Sequence, residues 1–147
     1  MVFDLHFRYV EQLPVALLLT SVTVVIHGLG MNCVRHYFRR SWASTTEHAR
    51  SGRMLTMVGM VAIMMVTHFA EVTIWGVFYV LGGMVPDTAS AILFSLASYT
   101  TLGGSGITLP GQWQGFGGFE AMAAMLMFGW STAMLAALIL RVQGLDT

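Results

Sequence analysis

Apolar residues along this chain fall into three long runs and one short run, separated by segments that are polar or rich in glycine. The first run, from Leu13 to about Met31, approaches the roughly 20 residues that a helix needs to cross a bilayer. Pro14 stands there at a tolerated early helical position. The second run, from about Met54 to Leu81, is long enough to tilt or protrude. The third extends from about Phe119 to Leu140, with Arg141 just beyond it. The short run, Ala89 to Tyr99, is about 11 residues and cannot cross, so a re-entrant helix is expected. Val85-Pro86-Asp87-Thr88 supplies its start signal, a proline and an acidic residue in the first turn. A Thr- and Gly-rich segment, Thr100 to Pro110, follows it, and then a connection, Gly111 to Gly118, whose Trp113 and Phe116 suit an interface. Irregular backbone at membrane depth is tolerated only where it is buried in protein or lines a water-filled path. The pattern therefore predicts a membrane protein with a pore or a binding cavity.

Composition reinforces the membrane reading, and charge gives it an orientation. Of 147 residues, 56% are apolar and 10% charged, with a mean hydropathy of +0.71. The chain has arginine and no lysine, and Arg35, Arg39, Arg40, Arg50 and Arg53 fall in one expected loop, residues 35–53. By the positive-inside rule that loop and Arg141 are cytoplasmic, which puts the N-terminus outside and the C-terminus inside. Anionic headgroups are partner enough for these arginines, and no nucleic acid is required. Residues 1–12 lack the basic n-region of a secretory signal and read as a retained N-terminus. A single cysteine, Cys33, permits no intrachain disulfide. Three parts result: residues 1–34 with the first span, the Arg-rich loop 35–53, and a module over 54–147.

Candidate chemistry concentrates in the second half of the second span. His68, Glu71, Trp75 and Tyr79 recur at helical spacing, and an ionisable residue inside a span is a functional candidate by default. Counted from the cytoplasmic end, His68 lies about 21 Å up, level with the Thr/Gly-rich segment. Either His68 and Glu71 pair with each other at i, i+3 or donate to a neighbouring helix and serve packing specificity, or they hold that segment from behind through hydrogen bonds to its backbone. His27 and Asn32 read as interfacial, at the end of the first span. A bis-histidine haem from His27 and His68 is disfavoured, because the two are expected roughly 13 Å apart in depth. Met54, Met57, Met60, Met64 and Met65 read as lipid-facing residues or packing filler. No nucleophile elbow accompanies the ionisable pair, so an enzyme is not expected. In the last span, Gly129, Ser131 and Thr132 mark a mid-helix stretch where Gly129 serves either as a hinge or as a packing contact.

The order of span, short helix, Ser98-Tyr99-Thr100-Thr101-Leu102-Gly103, Leu109-Pro110 and final span resembles the two-helix pore module of the tetrameric potassium channel superfamily. The likeness covers about Val85 to Leu140, and His68, Glu71 and Trp75 also look like the second span of small bacterial proteins with this pore. It implies that backbone carbonyls of the loop replace an ion's hydration shell. The filter would then be Thr100, Thr101, Leu102, Gly103, Gly104, Ser105 and Gly106, with a monovalent cation at Thr101, Leu102 and Gly103. His68, Glu71, Trp75 and Glu120 would support it and Gly129 would be the gating hinge. The chain departs from the family in the outer half, where Thr-Val-Gly-Tyr-Gly-Asp is replaced by Thr101-Leu102-Gly103-Gly104-Ser105-Gly106. Gly104 lacks the aromatic ring, Gly106 lacks the carboxylate, and a left-handed φ at Ser105 would cost about 1 to 2 kcal/mol. Glu71 and Glu120 are candidates to replace the missing carboxylate at the mouth.

The expected fold is an all-α membrane protein with three transmembrane helices plus a re-entrant pore helix and filter loop, assembled as a homotetramer. Its expected function is passive conduction of potassium, with a nonselective monovalent cation channel as the alternative. A non-conducting subunit that binds a partner through the His68 and Glu71 face is the rival outside the channel class. No cofactor is expected beyond the permeant potassium or sodium ions, and the expected location is a bacterial inner membrane.

Overall fold

A computed structural model describes the backbone of residues 2–44 and 50–143 and the side chains of residues 12–42 and 51–141. Helix α1 runs Val2–Ser44, α2 Arg50–Leu81, α3 Thr88–Tyr99 and α4 Phe116–Gln143, with a single 3-10 turn at Gly111–Trp113 before α4. Among the described residues there is no strand. Three segments, Gln12–Trp42, Ser51–Leu81 and Gly111–Arg141, are long and apolar enough to cross a membrane. Each has 31 residues, about 46 Å of helix against a hydrocarbon core of about 30 Å. The protein is therefore a multi-pass, all-helical membrane protein.

The arginine segment is not a loop. Arg35, Arg39 and Arg40 lie on α1, which continues about 13 residues past Met31, and Arg50 and Arg53 lie on the first turns of α2. Nothing between Met31 and Ser44 breaks a helix: there is no glycine or proline, and arginine is a good helix former. The expected loop features Glu47 and His48 lie outside the described residues. The side chains of Asp4, Arg8 and Glu11 lie outside them as well.

The exit from α2 follows from Gly82-Gly83. Gly83 adopts φ +64, the Gly83 N–H donates to the Val80 carbonyl at 2.9 Å and the Met84 N–H to the Tyr79 carbonyl at 2.9 Å. These paired bonds are a glycine C-cap that satisfies carbonyls otherwise left open. Helix α3 starts where the sequence signal puts it: the Asp87 carboxylate accepts the Ser90 N–H at 2.9 Å. That hydrogen bond holds the exposed Asp87 carboxyl below the ordinary carboxylate range. With 12 residues, or about 18 Å, α3 is too short to cross, and it packs against both α2 and α4.

Two large apolar clusters, with a small one of Val72, Tyr99 and Ala124, fill the interior. One joins Trp75, Tyr79, Phe94, Leu109 and Phe116 around the start of α3, and the other joins Met31, Val34, Phe38, Met60, Met64 and Leu138 at the arginine-bearing end. The methionines of α2 thus split, Met60 and Met64 inward and Met54 and Met65 outward. Helices approach closely at Gly76, where a Cβ would stand 2.6 Å from Ile92 Cδ1. Between the two apolar clusters lie most of the buried polar side chains.

Candidate functional site: a polar ring behind an exposed loop

Four helices contribute to the polar layer. His27 comes from α1, His68 and Glu71 from α2, Tyr99 from the last residue of α3, and Ser131 from the middle of α4. All five are buried. His27 Nδ1 lies 2.9 Å from Glu71 Oε1, and the Tyr99 hydroxyl donates to Glu71 Oε2. His68 Nδ1 meets the same hydroxyl at 2.8 Å. Ser131 Oγ lies 3.1 Å from His68 Nε2 and 3.3 Å from His27 Nε2, which closes a ring of side chains. In a span, where no water reaches an unpaired polar group, mutual satisfaction of this kind is what allows these residues to be present. Five contacts need five hydrogens. With an ionised carboxylate and neutral imidazoles the ring brings four, and a fifth, on the carboxyl or an imidazole, completes it with no net charge.

His27 is therefore not an interfacial residue, and the depth argument against its meeting His68 does not hold: the ring centroids are 5.3 Å apart. The reason is the length of α1. His27 lies about 26 Å from the end of α1 and His68 about 27 Å from the start of α2, so antiparallel packing brings them level. A centroid spacing of 5.3 Å leaves no gap for a macrocycle, and the ring nitrogens are turned toward Glu71, Tyr99 and Ser131. His27, His68 and Glu71 also bring one ligand atom each within 4.8 Å of one another, a donor set that suits zinc or a similar divalent ion. The same atoms are the ones joined in the hydrogen-bonded ring, so the residues are satisfied without an ion.

A second polar cluster lies around Glu120 of α4. Tyr79 donates to Glu120 Oε2 at 2.7 Å, Ser95 Oγ lies 2.5 Å from Glu120 Oε1, and the same Ser95 hydroxyl is 2.8 Å from the Val72 carbonyl. Trp75 points the other way: its Nε1 donates to Thr23 Oγ1 on α1 at 3.0 Å, and its ring packs on Phe116. The four expected filter supports thus act differently. His68 and Glu71 bond to the Tyr99 side chain rather than to loop backbone, Glu120 holds the middle of α3, and Trp75 ties α2 to α1. Neither Glu71 nor Glu120 reaches an outer mouth, because both are fully buried with partners.

Thr100 to Gly106, which begins where Tyr99 ends, is the opposite in character. Six of its seven residues are exposed, Leu102 at 84%. Left-handed φ values occur at Thr101 (58), Gly103 (65), Gly104 (71) and Gly106 (72), with Leu102 and Ser105 outside that region. The strain expected at Ser105 is instead at Thr101, a β-branched residue for which this conformation is an outlier costing about 1 to 3 kcal/mol. Nothing lies within 4 Å of a Cβ built on Gly103 or Gly104. Glycine is therefore required there by φ and not by crowding. The Gly103 N–H donates to the Ala97 carbonyl at 3.0 Å, folding the loop back on the end of α3. Gly129 likewise has nothing within 4 Å of a Cβ, so no contact within this chain requires glycine there.

His27, Tyr99 and Ser131 are the ring members missing from the expected site; Tyr99 stood beside it, as the residue before Thr100. The signal for Ser131 was its place beside Gly129 in an apolar span, and for His27 an imidazole about 14 residues into a run of aliphatic side chains. Comparison with protein-family models, with curated proteins and with solved structures gave no match.

Proposed function

We propose that the chain conducts monovalent cations, potassium foremost, through a filter assembled from four copies of Thr100 to Gly106. The observation that carries this reading is the backbone of the loop. Left-handed residues recur at Thr101, Gly103, Gly104 and Gly106, with Leu102 and Ser105 of the other hand between them, and changes of hand along a loop are what let peptide carbonyls turn toward an axis and replace a hydration shell. Three further features support it. The C-terminal end of α3, where the helix dipole is negative, leads straight into the loop. Thr101 is held in a strained conformation, as residues at ligand clamps often are. Leu102 is bare on a membrane-depth loop and lacks the packing that neighbouring copies would supply.

In this reading α3 re-enters the membrane, α4 lines the pore with Gly129 as its hinge, and the arginine-bearing ends of α1, α2 and α4 face the cytoplasm. Helix α1 stands outside the two-helix module and is joined to it by the polar ring. One loop supplies a quarter of a coordination cage, so assembly decides the matter. Native mass measurement of the purified protein should give four copies, and a monomer or dimer would remove the basis for a filter. Gly104, Ser105 and Gly106 leave the outer half without an aromatic ring or carboxylate, which favours weaker discrimination against sodium than a complete set of sites would give.

A further inference from the structure

At the arginine-bearing end, α1 and α4 enclose a cavity of about 190 Å³ lined by Arg35, Phe38, Arg39, Met134, Ala137, Leu138 and Arg141. Its chemistry has two parts. Arg35 and Arg39 stand one turn apart on α1, and Arg141 lies in the last turn of α4. The remaining wall is apolar, with Phe38 and Leu138 belonging to the buried core. Among the described residues no acidic residue lines the cavity. Arg35 is anchored by its hydrogen bond to Asn32 Oδ1 at 2.9 Å, and a guanidinium has five donors, so this bond leaves others for a ligand.

We propose that this cavity binds the phosphate headgroup of an anionic glycerophospholipid, with the start of an acyl chain against Phe38, Met134 and Leu138. Guanidinium groups match phosphate oxygens in paired hydrogen bonds. The cavity lies at the ends of two spanning segments, Gln12–Trp42 and Gly111–Arg141, at the depth where headgroups sit. Charge above and apolar surface below fit a lipid better than a free anion, which has no use for the apolar wall. Bound there, the lipid bridges α1 to the end of α4. The proposal holds whether or not the protein conducts ions.

The test is lipid retention by the purified protein in neutral detergent, read by native mass spectrometry with phosphatidylglycerol or phosphatidylcholine added. Phosphatidylglycerol should be retained in preference, and Arg39→Gln or Arg141→Gln should each lower its retention about fivefold. Arg53→Gln is the control. It removes the same charge from the same end, where the Arg53 guanidinium lies 5.6 Å over the Trp42 ring, outside the cavity. Its retention should match the unaltered protein. Equal retention of the two lipids would overturn the proposal, and so would an equal loss in Arg53→Gln, which would mean diffuse attraction to the whole basic end. Inorganic phosphate at matched concentration should not displace the lipid; displacement would show that the cavity recognises the anion alone.

Discussion

The two sides of α3 are built on opposite terms. Its back is closed by this chain: Ser95, Phe94 and Tyr99 are buried against α2 and α4, and each polar atom among them has a partner. Its front runs into Thr100 to Gly106, where backbone and side chains are exposed and Thr101 is strained. A surface completed within one chain is governed by folding. A surface left open acquires its partners from elsewhere, and in the proposed function those partners are three further copies and an ion. Substitutions behind α3 should therefore act on subunit stability, and substitutions in front of it on conduction.

The largest effect should come from Glu71→Ala, which leaves His27 Nδ1 without its partner in a buried site and takes from the Tyr99 hydroxyl the carboxylate it donates to. Equilibrium unfolding in mixed micelles should show a loss of about 3 to 5 kcal/mol. A loss below about 1 kcal/mol would mean the ring is not what joins α1 to the other helices. Overpacking the back comes next. Gly76→Val would press on Ile92, and the same measurement should register a loss of about 1 to 3 kcal/mol. Tyr99→Phe removes one hydroxyl but keeps the ring packing on Phe128, so about 1 kcal/mol is expected. In front of α3, Thr101→Gly should change subunit stability by less than about 1 kcal/mol, because relief of the left-handed φ offsets the added flexibility of the unfolded chain. Its effect should appear in ion flux, where a ring of hydroxyls is lost. The smallest effect belongs to the cap of α3. Its folded carboxyl is held low, so the cap contributes fully above the ordinary carboxylate range and is lost as pH falls through the lower folded value. Asp87→Ala should abolish that acid-side change and leave a slightly less stable protein at neutral pH.

Local signals gave the spans, the short helix and its Asp87 start, because each rests on a run of apolar residues or a cap within a few positions. The ring could be read only in part. His68 and Glu71 were visible as a stripe on one helix, but their meeting with His27 depended on how far α1 continues past Met31. That continuation depends on the absence of a breaker, a weak signal beside five arginines that suggest a loop. The direction of Trp75 toward Thr23, and of Glu120 toward Tyr79 and Ser95, was set by packing among helices that no periodicity within one helix encodes. In the loop, composition showed that left-handed backbone was needed, while the assignment of it to Thr101 in place of Ser105 required the three-dimensional path.

The central claim is that the open front of α3 forms a cation path between copies, and flux into liposomes containing the purified protein tests it most directly. Potassium uptake that barium blocks, and that Gly103→Ala abolishes without altering the unfolding transition by more than about 2 kcal/mol, is the predicted result. A verified tetramer that passes neither potassium nor sodium would contradict the account.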